Sequence, residues 1–203
     1  MVVAAGSGSR FGGPKQFAEI NGRRVVDWAL MAGRSVADGV VLVVPGGHLA
    51  ADVPAADVPA ADVVVAGGAT RSDSVRAGLA AVPAGADVVV VHDAARPFSS
   101  PALFEAVVAG VRAGADAVIP GLPILDTVKR VVDGRVVGTV DREGLVTVQT
   151  PQAFAAAALR RAHAGGGVAT DDAALVEAAG GKVVVVPGDP ANTKITLRGD
   201  LAR

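Results

Sequence analysis

A glycine-rich loop that follows a short apolar run constrains this chain more than any other feature. Residues 1–3 are apolar and predict the end of a buried strand. Four glycines within positions 6–13 let the backbone turn sharply and approach a ligand closely. Successive N–H groups in such a loop form a concave anion site, to which Arg10 and Lys15 add positive charge. The loop therefore suits a triphosphate; the alternative is a glycine-rich surface loop with incidental charges.

Two common glycine motifs do not fit this loop. A P-loop places its lysine directly after the last glycine and a Ser or Thr after the lysine. Here Pro14 follows the glycines and Gln16 follows the lysine. A dinucleotide fingerprint opens directly into a helix, but Phe11 stands at its third glycine position and Pro14 delays the helix.

The composition fits one cytoplasmic domain. The chain has 203 residues and no cysteine, which excludes disulfides and thiolate metal sites. A net charge of −1 argues against a nucleic-acid surface, and no apolar run approaches the roughly 18 residues of a membrane helix. The start lacks the pattern of a signal peptide, so we expect a cytoplasmic location. We also expect the first strand to be clipped, with the natural start further upstream.

Continuous apolar runs alternate with helix signals along the chain, as in a parallel sheet covered on both faces. The apolar runs lie at 40–44, 63–66, 88–91, 117–119 and 183–186. Helices are predicted at 24–34, 72–82, 101–112 and 170–179, with N-caps at Ser72 or Asp73, Ser100 and Thr170. The alternation predicts an α/β fold with right-handed crossovers.

Two segments interrupt the alternation. Residues 50–62 repeat the letters AADV, and Pro54 and Pro59 prevent a continuous helix there; we interpret this segment as a variable surface connection. Residues 127–140 read as a β-hairpin, because Asp133-Gly134 is a strong turn signal. The hairpin has little to pack against in its own domain, so we predict an arm that docks on a partner subunit.

Polar side chains follow the predicted strands, at the edge where open α/β sheets bind ligands. Asp93 can take Mg²⁺ through one carboxylate; the alternative is an aspartate that caps a turn and pairs with Arg96. His92 is interpreted as a hydrogen-bonded structural residue, and no second His is placed to build a metal site.

A second strand-to-helix turn, at 67–74, offers backbone N–H groups and the Ser74 hydroxyl to a base or ribose. Alternatively, Ser72 and Ser74 serve only the helix start. Further polar or cationic groups stand in predicted loops at 141–143, 150–152 and 192–194.

Eight short motifs, in order along nearly the whole chain, together resemble the 2-C-methyl-D-erythritol 4-phosphate cytidylyltransferases of the non-mevalonate isoprenoid pathway. They read AAGSGSR with PKQ, GG with RSDS, HDAARP, DTVK, TVDR, QTPQ, TDDA and NTKIT. The resemblance implies a single Rossmann-like domain over 1–203. Its doubly wound, mostly parallel α/β sheet would be of the nucleotidyltransferase type, with a protruding hairpin arm at about 124–142.

The resemblance also implies a reaction. CTP and 2-C-methyl-D-erythritol 4-phosphate give 4-diphosphocytidyl-2-C-methyl-D-erythritol and pyrophosphate, with Mg²⁺ as cofactor. The acceptor phosphate attacks the α-phosphorus in line without a covalent enzyme intermediate, so catalysis is positioning plus charge stabilisation.

Residue roles follow from the same resemblance. Arg10 and Lys15 match residues that stabilise the transition state and the departing pyrophosphate, whereas Lys194 and Arg142 match residues that hold the acceptor. The implied CTP contacts are Ala4, Ala5, Gly6, Gly8, Gly68, Ser74 and Ala94. The implied acceptor contacts are Asp93, which is also the metal residue, Arg96, Thr127, Thr150 and Thr170. Thr127 and Arg142 lie on or near the arm, which in the family reaches the other subunit's site, so a homodimer is implied.

The chain departs from the family pattern at three places. The interval from Arg10 to Lys15 is short, Ala69 replaces a residue that is polar in some members, and the chain ends soon after Asp200, where relatives continue into a helix. The nearest alternative is a ribitol 5-phosphate cytidylyltransferase, and a broader one is another sugar-nucleotide transferase. A non-catalytic nucleotide-binding module belongs to a different class, and the presence of Arg10, Lys15 and Lys194 argues against it.

Overall fold

An eight-stranded sheet forms the centre of the structure, a computed structural model that describes residues 1–48 and 61–202. The strands are β1 Val2–Val3, β2 Glu19–Ile20, β3 Arg23–Arg24, β4 Val41–Val44, β5 Val63–Ala66, β6 Val88–Asp93, β7 Ala117–Pro123, β8 Val128–Val132, β9 Arg135–Val140, β10 Val146–Val148, β11 Gln152–Ala155 and β12 Val183–Pro187. The α-helices are α1 Val25–Arg34, α2 Arg71–Ala81, α3 Pro101–Arg112, α4 Ala156–Ala164 and α5 Asp172–Ala178. The repeat at 50–62 lies, except for its last two residues, outside the described residues.

The strand order confirms a doubly wound, mostly parallel sheet. It runs β10-β7-β11-β6-β1-β4-β5, with β12 on the other edge of β7. Strand β1 pairs in parallel with β4 and β6, β4 with β5, and β7 with β12. Strands β10 and β11 run antiparallel to their neighbours. All five predicted strand runs are present.

Helices cover both faces of this sheet, which explains the continuous apolar runs. On one face Val75 of α2, Leu159 of α4 and Val176 of α5 pack in one buried cluster. On the other face Leu30 of α1 packs against β1 and β4, and Val107 of α3 packs against β7 and β11. Every residue of β4 is buried because it is covered from both sides. None of the described helices has the length and apolar character needed to cross a membrane.

The structure corrects two predicted helix starts. Helix α2 is capped by Thr70, whose hydroxyl accepts from the backbone N–H of Asp73 at 3.0 Å, and not by Ser72 or Asp73 itself. Helix α5 is capped by Asp171 rather than Thr170. Both true caps stand three residues before the N–H group that they satisfy, as the helix start requires. Ser100 is confirmed as the cap of α3, with a proline at the first helical position.

Strand β11 and helix α4 were not predicted. The sequence predicts a loop at 150–152, but Gln152 begins β11 and is buried. Strand β11 is short and antiparallel and inserts between β6 and β7, far from its neighbours in sequence. Its pairing is therefore decided by tertiary contacts that a local pattern does not reveal.

The predicted hairpin is present. Strands β8 and β9 form a separate two-stranded sheet, joined through Asp133 and Gly134, both with positive φ. Positive φ at both turn residues matches the twist of a two-residue hairpin. The strands carry exposed valines on both sides of the turn. The hairpin thus lacks an apolar core of its own.

Candidate functional site

A cavity of about 500 Å³ opens at the carboxyl ends of β1, β5 and β6. The first loop, the turn after β5, the end of β6 and the last loop meet there, as expected for an open α/β sheet. The predicted site residues that line it are Ala4, Ala5, Gly6, Lys15, Gly68, Ser74, Asp93, Ala94 and Lys194. The fold therefore gathers residues from both ends of the chain around one space.

Gly8 gives the glycine loop its shape. Its carbonyl accepts from the N–H groups of Phe11, Gly12 and Gly13 at 2.9, 3.0 and 3.2 Å. Gly8 has a φ of 65°, and a Cβ there would lie 1.8 Å from the Gly13 oxygen. A side chain at this position would force the loop open. The part of the loop that borders the cavity is its beginning, from Ala4 to Ser7.

Lys15 reaches the cavity from a short 3₁₀ turn after this loop. Its Nζ donates to the backbone oxygen of Ile195 at 2.7 Å, which joins the first loop to the last. Burial, and then the nearby charge of Lys194, lower the pKa of Lys15. A half-buried ammonium beside a second cation favours the binding of an anion. The anion would offset both the loss of hydration of Lys15 and its repulsion by Lys194.

Asp93 is the central charge of the cavity. Its Oδ2 accepts from Lys194 Nζ at 2.7 Å, and its Oδ1 accepts from Arg71 at 3.3 Å. Burial of Asp93 opposes its ionisation, but Lys194 and Arg71 outweigh this and hold its pKa well below the usual range. The carboxylate is thus charged at neutral pH and fixes both cations at the cavity wall.

Thr150 supports Asp93 from behind. Its hydroxyl oxygen accepts from the Asp93 backbone N–H at 3.0 Å and lies 3.2 Å from His92 Nδ1. His92 Nε2 lies 3.1 Å from the backbone oxygen of Arg96, which can only accept, so the ring is protonated at Nε2. Burial lowers the pKa of His92 to about 4, which keeps it neutral. His92 is therefore structural, as interpreted from the sequence.

Arg96 also has a structural environment. Its Nη1 donates to the backbone oxygen of Asn192 at 2.7 Å, and its Nη2 donates to that of Val148 at 3.3 Å. Burial lowers the pKa of its guanidinium. Arg96 and Thr150 thus lie behind the cavity wall, where they hold backbone that carries site residues.

Ser74 serves the helix start and also borders the cavity, so a contact of its hydroxyl with a base or ribose stays a prediction. Its hydroxyl accepts from the Gly68 N–H at 3.2 Å and donates to the Thr70 oxygen at 2.9 Å, so it does serve the helix start. It also lines the cavity. A Cβ on Gly67 would lie 2.3 Å from that of Ala5, so the two loops touch only because glycine stands there.

Several predicted site residues stand apart from the cavity. Arg10 is exposed on the glycine loop, and Thr170 is exposed just before α5. Thr127 is exposed at the base of the hairpin. Arg142 lines a second cavity, of about 470 Å³, at the same base, where it donates to the backbone oxygen of Leu125. Within one chain, the arm residues and the Asp93 cluster are separate.

Arg71, to which the sequence motifs assign no role, lies on the cavity wall. Arg71 bridges Asp93 and the fully buried Asp172, to which its Nη1 donates at 2.8 Å. Asp172 in turn lies 3.1 Å from the buried His163. The two carboxylates offset the burial of Arg71 and raise its pKa. The sequence did carry a signal for Arg71. It is a cation at the first position of a helix, and it follows a glycine turn at the ligand edge.

The described residues contain no group of three His, Asp or Glu side chains that could hold a metal ion by themselves. Asp93 is the carboxylate that lines the cavity. A single carboxylate suits Mg²⁺ that is carried mainly by phosphate oxygens and water. The residues present therefore fit a metal that arrives with a triphosphate.

Comparisons with known proteins agree on one family. The sequence profile of 2-C-methyl-D-erythritol 4-phosphate cytidylyltransferase (IspD) matches residues 1–203. The chain is 48% identical over 214 residues to a bifunctional enzyme IspD/IspF of Clavibacter michiganensis subsp. michiganensis, a match that covers 100% of this chain and 52% of the relative. It is 49% identical over 208 residues to a 2-C-methyl-D-erythritol 4-phosphate cytidylyltransferase of Nocardia farcinica, covering 99% and 89%.

A solved structure gives the same result. The crystal structure of 2-C-methyl-D-erythritol 4-phosphate cytidylyltransferase from Thermus thermophilus superposes with a TM-score of 0.84 at 37% sequence identity. That match covers 99% of this chain and 94% of the other. The chain thus spans nearly all of this structure, but about half the length of the bifunctional relative.

Proposed function

The chain belongs to the 2-C-methyl-D-erythritol 4-phosphate cytidylyltransferase family, and from this premise we propose that it transfers a cytidylyl group from CTP to 2-C-methyl-D-erythritol 4-phosphate. The products are 4-diphosphocytidyl-2-C-methyl-D-erythritol and pyrophosphate, in non-mevalonate isoprenoid precursor synthesis. The observation that carries the proposal is the convergence of Lys15, Asp93 and Lys194 on one cavity at the carboxyl edge of the sheet.

In this proposal CTP lies between the glycine loop and the turn after β5. Ala4 and Ala5 border the cavity on one side, and Gly68 and Ser74 on the other, which supports a cytosine between them. Their small side chains leave backbone groups accessible to the polar edge of a base. The triphosphate then extends along the start of the loop towards Lys15.

The acceptor phosphate attacks the α-phosphorus in line, and the bond to pyrophosphate breaks as the new P–O bond forms. Lys15 stabilises the negative charge that spreads over the phosphoryl oxygens and the leaving pyrophosphate, with Arg10 assisting from the loop. Lys194, fixed by Asp93, holds the acceptor phosphate for attack. The chain supplies position and charge, so no covalent enzyme intermediate is needed.

We propose Mg²⁺ as the cofactor. When bound, it would neutralise phosphate charge and polarise the α-phosphoryl group. Asp93 is the side chain that would hold it. Both oxygens of Asp93 face cations in the chain alone, so a metal would compete with Arg71 and Lys194 for this carboxylate.

We further propose a homodimer in which the arm completes the site of the other subunit. Exposed valines on β8 and β9 and the separation of Thr127 and Arg142 from the cavity support this arrangement. Arg142 and Thr127 would then contact the acceptor from the partner subunit. Because CTP is available in the cytoplasm, we propose that location for the reaction.

The test is pyrophosphate release from CTP with two acceptors. We expect kcat/KM for 2-C-methyl-D-erythritol 4-phosphate to exceed that for ribitol 5-phosphate by at least about tenfold, because ribitol phosphate adds a hydroxyl that the site leaves badly paired, at about 1–3 kcal/mol. Both acceptors are measured at the same CTP and Mg²⁺ concentrations, with ATP, GTP and UTP as nucleotide controls.

Equal values, or a preference for ribitol 5-phosphate, would replace the proposed acceptor while the cytidylyl chemistry stands. CTP binding without pyrophosphate release from either acceptor would instead support the non-catalytic alternative.

A further inference from the structure

Lys194 lies between two buried residues of the last loop. The Lys194 side chain is 42% exposed, whereas Asn192 and Ile195 are 0% and 2% exposed. Ile195 donates its N–H to the backbone oxygen of Ala95 at 2.8 Å and accepts from Lys15 Nζ at 2.7 Å. The loop is therefore held on both sides of the residue that reaches Asp93.

Asn192 holds the loop on the N-terminal side of Lys194 through its side-chain amide. Its Nδ2 donates to the backbone oxygen of Thr150 at 2.9 Å, and its Oδ1 accepts from Ser99 Oγ at 2.5 Å. The Asn192 backbone oxygen accepts from Arg96 at 2.7 Å. A fully buried amide with both ends satisfied has one stable orientation, because a rotation would leave buried polar groups unpaired.

Thr150 links this amide to the partner of Lys194. While its backbone oxygen accepts from Asn192, its hydroxyl accepts from the Asp93 N–H at 3.0 Å. Asp93 then accepts from Lys194 Nζ at 2.7 Å. The contacts thus form a closed circuit in which Thr150 sets the distance between the Asp93 strand end and the Lys194 loop.

We propose that Asn192 is a positioning residue for the transfer reaction, acting through Thr150 to hold Lys194 opposite Asp93. This inference rests on the proposed function, in which Lys194 holds the acceptor phosphate. Asn192 itself is fully buried and does not line the cavity. Its effect is on the place of the Lys194 ammonium, and small displacements of such groups have large effects on in-line transfer.

A double-mutant cycle tests the proposal on the full chain. The proteins are Asn192→Ala, Lys194→Ala and the doubly substituted protein, with CTP titrated calorimetrically to count intact sites. We expect Asn192→Ala to lower kcat/KM for the acceptor at least about tenfold per intact site. KM for CTP should stay within about threefold. In the Lys194→Ala background, the Asn192 substitution should cost less than about threefold more, because the group that it positions is gone.

Ser99→Ala is the matched control. It removes the hydroxyl that donates to Asn192 Oδ1, together with that hydroxyl's longer 3.4 Å contact to the Thr150 oxygen, but it leaves the 2.9 Å bond from Asn192 Nδ2 to Thr150. We therefore expect less than about threefold loss. If Asn192→Ala does not fold, Asn192→Asp takes its place in the cycle. That variant keeps the volume and the acceptor for Ser99, and it replaces the amide that donates to the Thr150 and Gln149 oxygens by a carboxylate oxygen, which cannot donate to them.

Independent losses that multiply in the doubly substituted protein would overturn the positioning role. So would a loss that disappears once activity is divided by the number of intact CTP sites, since that result describes a purely structural residue. Failure of the proposed function is distinguishable from both outcomes, because then the unaltered protein releases no pyrophosphate with this acceptor.

Discussion

The carboxyl edge of the sheet and the hairpin arm differ in how far the contacts within one chain satisfy their side chains. At the edge, the Asp93 carboxylate accepts from Lys194 and Arg71, and the Asp93 backbone oxygen accepts from the Arg96 N–H, all within one chain. On the arm, β8 and β9 pair with each other, and Val131 and Val136, which face each other across the hairpin, are 54% and 62% exposed. One region is organised before anything binds, whereas the other presents apolar surface that an isolated chain leaves in water.

The difference indicates a division of labour. In the proposed function, the groups that meet the triphosphate and the acceptor are held by contacts at the carboxyl edge, where reorganisation during the reaction is small. The arm, with its exposed valines and its base at Arg142, is suited to assembly with a second subunit.

Removing the ammonium of Lys15 should have the largest effect. We expect Lys15→Ala to lower kcat at saturating CTP by about 10²–10³-fold, because it deletes a preorganised positive charge that the transition state needs. The measurement is pyrophosphate release, with circular dichroism to check the fold. Lys182→Ala, which removes an exposed lysine just before β12, is the matched control. A Lys15→Ala protein within about threefold of the unaltered chain would refute the assignment.

Mixing two inactive proteins should test whether the arm completes the partner's site. After subunit exchange, equal amounts of Lys15→Ala and Arg142→Ala protein should recover about a quarter of full activity, since half of the dimers carry one intact site of two. A mixture of Lys15→Ala with Lys194→Ala should recover none, because both residues belong to the same cavity. With exchange confirmed, a silent first mixture would count against a shared site.

Acid should weaken the carboxyl edge through His92. The pKa of His92 falls from an ordinary value of 6.5 to about 4 in the folded chain, chiefly because of burial. The unfolded chain therefore takes up a proton before the folded chain does, and stability is lost as pH falls from about 6.5 to about 4. The full shift corresponds to about 3 kcal/mol.

This prediction is checked by denaturant unfolding at several pH values in that window. We expect His92→Gln to show a shallower decline, since it has no ring to titrate. The contribution of Asp93 has a separate window: its pKa is lowered, so its contribution is complete above about 3.8 and disappears only at lower pH. Parallel curves for the two proteins would show that His92 is not the group responsible.

Making the arm polar should have the smallest effect on the chain itself. We expect Val131→Thr with Val136→Thr to change the free energy of unfolding of the monomer by less than about 1 kcal/mol, because both side chains are mostly exposed. In sedimentation, the dimer of this variant should nevertheless dissociate at a higher protein concentration than that of the unaltered chain, because weaker association raises the Kd. Val168→Thr, at a site that is 68% exposed elsewhere, is the control. Unchanged association in the arm variant would argue for a different interface.

Local patterns were sufficient to predict elements whose sequence signals lie within a few residues of one another. The run at 40–44 predicted β4 within one residue, and Asp133-Gly134 predicted the hairpin, because each signal lies within a few residues. The pattern around Gln152 was not sufficient. Its strand is short and gains its partners from β6 and β7, which are distant in sequence.

Some residues of the candidate site could likewise be predicted from the sequence, whereas the positions of others could not. The residue types at the strand ends, with the ordered motifs, indicated that Lys15, Asp93 and Lys194 belong to one site. The motifs did not reveal that Arg96 and Thr150 stand behind the wall rather than in it, or that Arg71 joins Asp93 to Asp172. Those assignments depend on side-chain direction, which the order of residues along a chain does not specify.

Sequence patterns alone specified the class of fold, the glycine loop, the hairpin and three of the charged residues at the ligand edge, Lys15, Asp93 and Lys194. These follow from short-range properties: the apolar runs, the left-handed backbone at Gly8 and the turn at Asp133-Gly134. Only the tertiary structure decided which charges pair, because Asp93 meets Lys194 and Arg71 through strands and loops 101 and 22 residues away. Burial then fixed the result, since a carboxylate taken from water must be paired with the cations that the fold brings to it.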